Sequence, residues 1–125
     1  MADQNEAYSI KGERSLSQGF ISQYAAGAAL QVDGVAALDT SVIVSLKEAF
    51  GGEHDGKGVR VRFSPEDHSL VEIDVYPIIY YGYILPDVAW QIQERIKDEV
   101  EAFTGLIVDE VNVQVMGLIE SEDLE

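Results

Sequence analysis

The sequence predicts an α+β fold. The expected form is a small two-layer sandwich in which helices cover one face of a three-stranded mixed sheet, in the order helix, short helix, β-hairpin, helix, strand. Three observations carry this expectation. Apolar residues recur at helical spacing over 17–34 and 86–105. Strict alternation of apolar and polar residues occupies 59–63 and 71–75, on either side of a turn. The length of 125 residues suits one hydrophobic core rather than two. The chain divides accordingly into an N-terminal arm (1–14), a single domain (15–118) and an acidic, disordered tail (119–125).

Ser17 is placed to cap the first helix, in which Phe20/Ile21, Tyr24/Ala25, Ala28 and Val32 share a face and Gly34 supplies the stop. Its middle, Ala25 to Ala29, is built of small residues that allow close packing, although Gly27 costs about 1 kcal/mol of helix propensity. Asp39 or Thr40 can cap a short second helix carrying Val42/Ile43, Leu46 and Ala49/Phe50, which Gly51 and Gly52 end. Residues 53–58 are loop chemistry, with charged side chains between glycines.

From Val59 the period becomes two. Val59, Val61 and Phe63 alternate with Arg60 and Arg62, and after a turn Val71, Ile73 and Val75 alternate with Glu72 and Asp74. One register satisfies every pair: Val61 opposite Ile73, Phe63 opposite Val71, Arg62 opposite Glu72 and Arg60 opposite Asp74. The second strand is expected to run on through Ile84, with Pro77 marking an edge position or a bulge. Pro86 then opens the second long helix with Asp87 in its first turn. Its stripe of Val88, Ala89, Ile92, Ile96, Val100 and Phe103 ends at Gly105. A last strand alternates Val111, Val113 and Val115 with Glu110, Asn112 and Gln114.

Charge narrows the function classes. The 23 acidic residues against 8 basic ones leave a formal charge of -15, which argues against sequence-independent binding to nucleic acid or anionic lipid. The absence of cysteine removes disulfides, thiolate nucleophiles and cysteine-based metal sites. No basic n-region opens the chain, and no run approaches the ~18–20 apolar residues of a membrane span, so a cytoplasmic location without direct membrane insertion is expected.

Catalytic patterns are missing. His54 and His68 sit at opposite ends of the first hairpin strand, roughly 20 Å apart, too far to share a metal. There is no Gly-x-Ser-x-Gly elbow and no phosphate loop, and no two glycines stand three apart as a K-homology loop requires. The carboxylates fall on helix exteriors, in the hairpin's polar rows and in the tail, where water solvates them. No catalytic, cofactor or metal residues are assigned. Two features point to contacts instead. Trp90 projects away from the centre of its helix's apolar stripe, as an interface anchor would. Tyr76, Tyr80, Tyr81 and Tyr83 cluster near Pro77, where part of a long strand can offer an edge to a partner or pack its rings on the helices. Structural roles fall to Arg60, Arg62, Glu72, Asp74, Gly82, Pro86 and Gly105.

The segment from Val75 and Tyr76 through Tyr81-Gly82-Tyr83-Ile84-Leu85-Pro86-Asp87-Val88-Ala89 is followed by Thr104-Gly105-Leu106 and by Val111-Asn112-Val113-Gln114-Val115-Met116-Gly117-Leu118. Together with Val32-Asp33-Gly34-Val35 and Gly58-Val59-Arg60-Val61, this pattern resembles the alkaline shock protein 23 family, general-stress, cell-envelope-associated proteins of Gram-positive bacteria. The sequence departs from the family pattern at Pro77, Trp90 and Gly27. The resemblance implies a small α+β protein without enzymatic activity or cofactor, held in the cytoplasm and in some members brought to the membrane by an anchor protein. Some relatives are tied instead to fatty-acid metabolism. The expected function is therefore a non-enzymatic interaction or scaffold protein of envelope stress or homeostasis, acting through a protein partner and compatible with homo-oligomerisation. A regulator of lipid metabolism, or a small ligand-binding domain with a tyrosine-lined pocket, is the alternative.

Overall fold

The computed structural model describes residues 16–41 and 58–121. The expected N-terminal arm, the short helix after Thr40, the loop containing His54 and the last four residues lie outside them.

Helix α1 (Gln18–Leu30) starts where Ser17 accepts a hydrogen bond from the amide of Phe20. It ends at Leu30 with Gln31 as its cap, earlier than a stop at Gly34 implies. Gly34 instead turns the chain into strand β1 (Val35–Leu38), with φ at +100°. Strands β2 (Val59–Phe63) and β3 (Leu70–Val75) form the hairpin in the expected register, with Val61 opposite Ile73 and Arg62 opposite Glu72. Beyond β3 the expectation of one long strand through Ile84 does not hold. Strand β4 is short (Pro77–Tyr80), and residues 81–84 turn into helix α2 (Leu85–Thr104). Pro86 occupies the first turn of α2, and Gly105 closes it in the left-handed conformation that glycine adopts without steric cost. Strands β5 (Ile107–Val113) and β6 (Gly117–Ile119) complete the described chain.

The strands form two three-stranded sheets. In one, β3 lies between antiparallel β2 and parallel β5, which is the mixed sheet the sequence predicts. The second, β1-β4-β6, was not anticipated: β4 is its centre, antiparallel to β1 and parallel to β6. The chain passes from one sheet to the other at Tyr76. Its amide donates to the Gly58 carbonyl and its carbonyl accepts from the Asp39 amide, so it bonds into both. Pro77, lacking an N–H, is the first residue of the new strand, where no donor is needed. The returning chain crosses at the same level, with the Gln114 amide donating to the Val75 carbonyl and the Met116 amide to the Pro77 carbonyl.

The core lies between the helices and one face of the β2-β3-β5 sheet. Val59, Val61, Val71, Ile73, Val75 and Val108 meet Ile21, Ala25 and Ala29 of α1 and Val88, Ile92, Ile96 and Val100 of α2. The small residues of α1 bring it close to α2. Phe103, assigned to the buried stripe from its spacing, is 66% exposed and stacks on Tyr24 at 4.9 Å between ring centroids. It sits at the helix end, beyond the sheet's cover.

Candidate functional site

The outward face of the β2-β3-β5 sheet carries the polar rows that the register sets up. Asp74, 8% exposed, accepts from Nε and Nη2 of Arg62 at 3.2 and 2.9 Å and from Nδ2 of Asn112 at 2.9 Å. Arg62 also reaches Glu72 at 2.9 Å through Nη1. The expected Arg60–Asp74 pair is present in register but not as an ion pair. The longer diagonal reach of Arg62 takes both carboxylates, and Arg60 joins no ion pair among the described residues. Burial opposes the charge of Arg62, and its hydrogen bond to Asp74 with the attraction of both acids outweighs that, raising it above its ordinary value. Burial likewise raises the Tyr76 phenol, helped by Asp74 and opposed by Arg60 and Arg62. This network is satisfied and closed, which is the arrangement of a structural centre.

The four tyrosines are not brought together. Tyr76 is buried at the sheet switch, Tyr80 is half-buried at the end of β4, and Tyr81 and Tyr83 are exposed in the turn after it. Pro77 to Tyr80 are bonded on both sides, so this stretch has no free edge to offer. The outer edges of the other sheet are capped by side chains: Gln18 Nε2 donates to the Val61 carbonyl of β2, and Gln93 Nε2 to the Val111 carbonyl of β5, each at 3.0 Å.

Part of the exposed apolar surface lies instead around the start of α2. Trp90 is 60% exposed, Ile84 65%, and Tyr81 68%. The Tyr83 ring lies against Gly34, where an added Cβ would fall 2.8 Å from it. One residue earlier, Val32 and Asp33 line a shallow depression of about 400 Å³ together with Gln31, Trp90, Glu94 and Asp98. The turn at 31–34 therefore meets Tyr83 through Gly34 and Trp90 through the depression. The sequence pointed to Trp90 and Tyr83 but not to Asp33, Glu94 and Asp98, whose carboxylates read there as ordinary solvated charges.

A second depression, about 660 Å³, lies along α1 and α2 and is lined by Phe20, Tyr24, Gly27 and Phe103. Glu72, Asp109 and Glu110 bring carboxylate oxygens within 4.8 Å of one another on the sheet's outer face, and Glu72 is already engaged by Arg62. No helix among the described residues is long and apolar enough to cross a membrane.

The profile of the alkaline shock protein 23 family, described as having a cell envelope-related function, matches residues 6–120. The chain belongs to that family. This family member is 34% identical over 91 residues to the uncharacterized protein YqhY of Bacillus subtilis (strain 168), covering 73% of the chain and 65% of YqhY. It is 32% identical over 109 residues to the uncharacterized protein YloU of the same strain, covering 86% of the chain and 88% of YloU. Among solved structures, a zinc form of the MamM CTD aligns over 78% of this chain and 81% of its own, at 13% identity and a TM-score of 0.45.

Proposed function

We propose that the chain is a non-enzymatic interaction protein serving a cell-envelope function, and that the surface around Trp90 and Tyr83 is where it meets a protein partner. The observation that carries this reading is Trp90 at 60% exposure, in a depression it shares with residues of the 31–34 turn, against which Tyr83 packs. A large amphipathic ring left in water at a depression is the residue type that most often anchors protein interfaces. Asp74, the buried carboxylate among the described residues, has its oxygens committed to Arg62 and Asn112, which favours a role in folding over one in chemistry. Any membrane association would run through a protein adaptor, since the charge of -15 repels an anionic lipid surface.

The test is capture of partners from native cells by wild type, Trp90→Ala and Tyr83→Ala, with circular dichroism to show that each variant is folded. The reading expects loss of at least one partner from both variants. Partner sets identical to wild type in both would remove this surface from the function.

A further inference from the structure

The depression beside Trp90 has a charge pattern that specifies what can enter it. Trp90, Glu94 and Asp98 stand four residues apart along α2 and so share one face, at steps of about 6 Å. Asp87 precedes Trp90 by three residues on the same side. Asp33 adds a carboxylate from the opposite wall, next to Gln31 at the end of α1. That helix presents the negative end of its dipole and has no basic residue in its last turn. The cation on the rim, Arg95, is turned along the helix to Glu99 at 3.2 Å. An exposed indole thus lies among carboxylates that form no ion pair among the described residues, since Arg95 is drawn to Glu99 and Lys97, whose charge is felt by Glu94 and Asp98, is bonded to Glu101; a helix C-terminus backs them.

We infer that this depression receives a basic segment of a protein partner, with an arginine or lysine side chain lying over the Trp90 ring and further basic side chains meeting Glu94, Asp98 and Asp33. The indole face attracts a cation, and the surrounding carboxylates both raise that attraction and exclude acidic partners. The carboxylates are spread along a helix rather than converging, which suits side chains spaced along an extended chain. This inference rests on the proposed interaction role of the surface and specifies the chemistry of the partner.

Trp90 is the single tryptophan, so its fluorescence reports on the site itself. The purified full chain is titrated at low salt with a short peptide of alternating arginine and serine, with the corresponding glutamate peptide and spermidine as comparison probes. The expected result is a saturable change with the arginine peptide alone. It should weaken about tenfold in Glu94→Gln/Asp98→Asn and stay unchanged in Asp109→Asn/Glu110→Gln, which removes the same charge from β5. Equal weakening in the two double variants would reduce the effect to general attraction, and spermidine binding as tightly as the peptide would replace the protein segment with a polyamine. Absence of a saturable change would also overturn the inference. In partner capture, a protein lost by Trp90→Ala but kept by Glu94→Gln/Asp98→Asn would sink the basic-segment inference while leaving the interaction surface standing. Capture unchanged by either variant would sink both.

Discussion

Arg60 and Arg62 lie on the same face of β2 opposite two acids, yet they are energetically unequal. Asp74 is buried and holds three donor contacts, two of them from Arg62. Replacing it by alanine leaves Nε and Nη2 of Arg62 and the Asn112 amide without their acceptor, with only Nη1 still held by Glu72, and should cost about 2–4 kcal/mol. Arg60→Ala breaks no ion pair among the described residues and should cost less than about 0.5 kcal/mol. Urea denaturation of the two variants checks this, and comparable losses would mean that Arg60 engages Asp74 in solution. The difference could not be read from register, because alternation places residues opposite one another but does not say which of two flexible arginines reaches across the diagonal. At Trp90 the sequence was more informative: its angular offset from the Val88, Ile92, Ile96 and Val100 stripe already placed it off the buried face. Its emission should therefore resemble that of tryptophan in water and be quenched efficiently by the neutral quencher acrylamide, whereas a blue-shifted, unquenched signal would show the ring covered.

Among the elements, the hairpin and α2 were legible and the second sheet was not. Val59 to Phe63 and Val71 to Val75 carry unbroken alternation on either side of a turn, and α2 has both of its punctuation marks, Pro86 and Gly105. Strands β1 and β6 have four and three residues, too few to show a period, and β4 follows β3 so closely that the switch at Tyr76 reads as one continuous strand. Strand β5 hides its start for a different reason. Val71 pairs with Val108 and Glu72 with Glu110, so a bulge at Asp109 lets Val108 and Val111 both reach the core although they are three residues apart. The joint between α1 and β1 can be tested directly. At Gly34, alanine would have to adopt a φ of +100° and place its Cβ 2.8 Å from the Tyr83 ring. Gly34→Ala should destabilise by about 1–3 kcal/mol. Tyr83→Ala in the same chain should recover the clash but not the backbone strain. If the double variant is no more stable than the two losses added together, the ring does not rest on Gly34.

For the whole molecule, charge sets two opposing dependences. At pH 7 the -15 charge makes the folded state repel itself, since compaction brings the acids together. Raising sodium chloride from about 20 to about 300 mM shortens the screening length several-fold and should raise the melting temperature. Lowering the pH relieves the same repulsion but eventually removes carboxylate contacts that hold the fold. The Glu101 carboxyl lies below its ordinary 4.5, chiefly through the hydrogen bond from Lys97 and then through that from the Val108 amide, with burial opposing slightly. Each contact is 2.8 Å; the first lies within α2 and the second ties its end to the start of β5. Because the folded value is depressed, this contribution is complete above about pH 4.5 and is lost as the pH falls through the folded value. Asp39 and Asp67, held below 3.8 by the Ser41 and Ser69 hydroxyls and then their amides, behave alike at slightly lower pH. Stability at low salt should therefore hold or rise as pH falls from 7 towards 5 and decline below about 4.5. Glu101→Gln, which keeps an acceptor but no charge, should be less stable at pH 7 and show a shallower acid decline. An equally steep decline in this variant would place the acid-sensitive contacts elsewhere in the molecule.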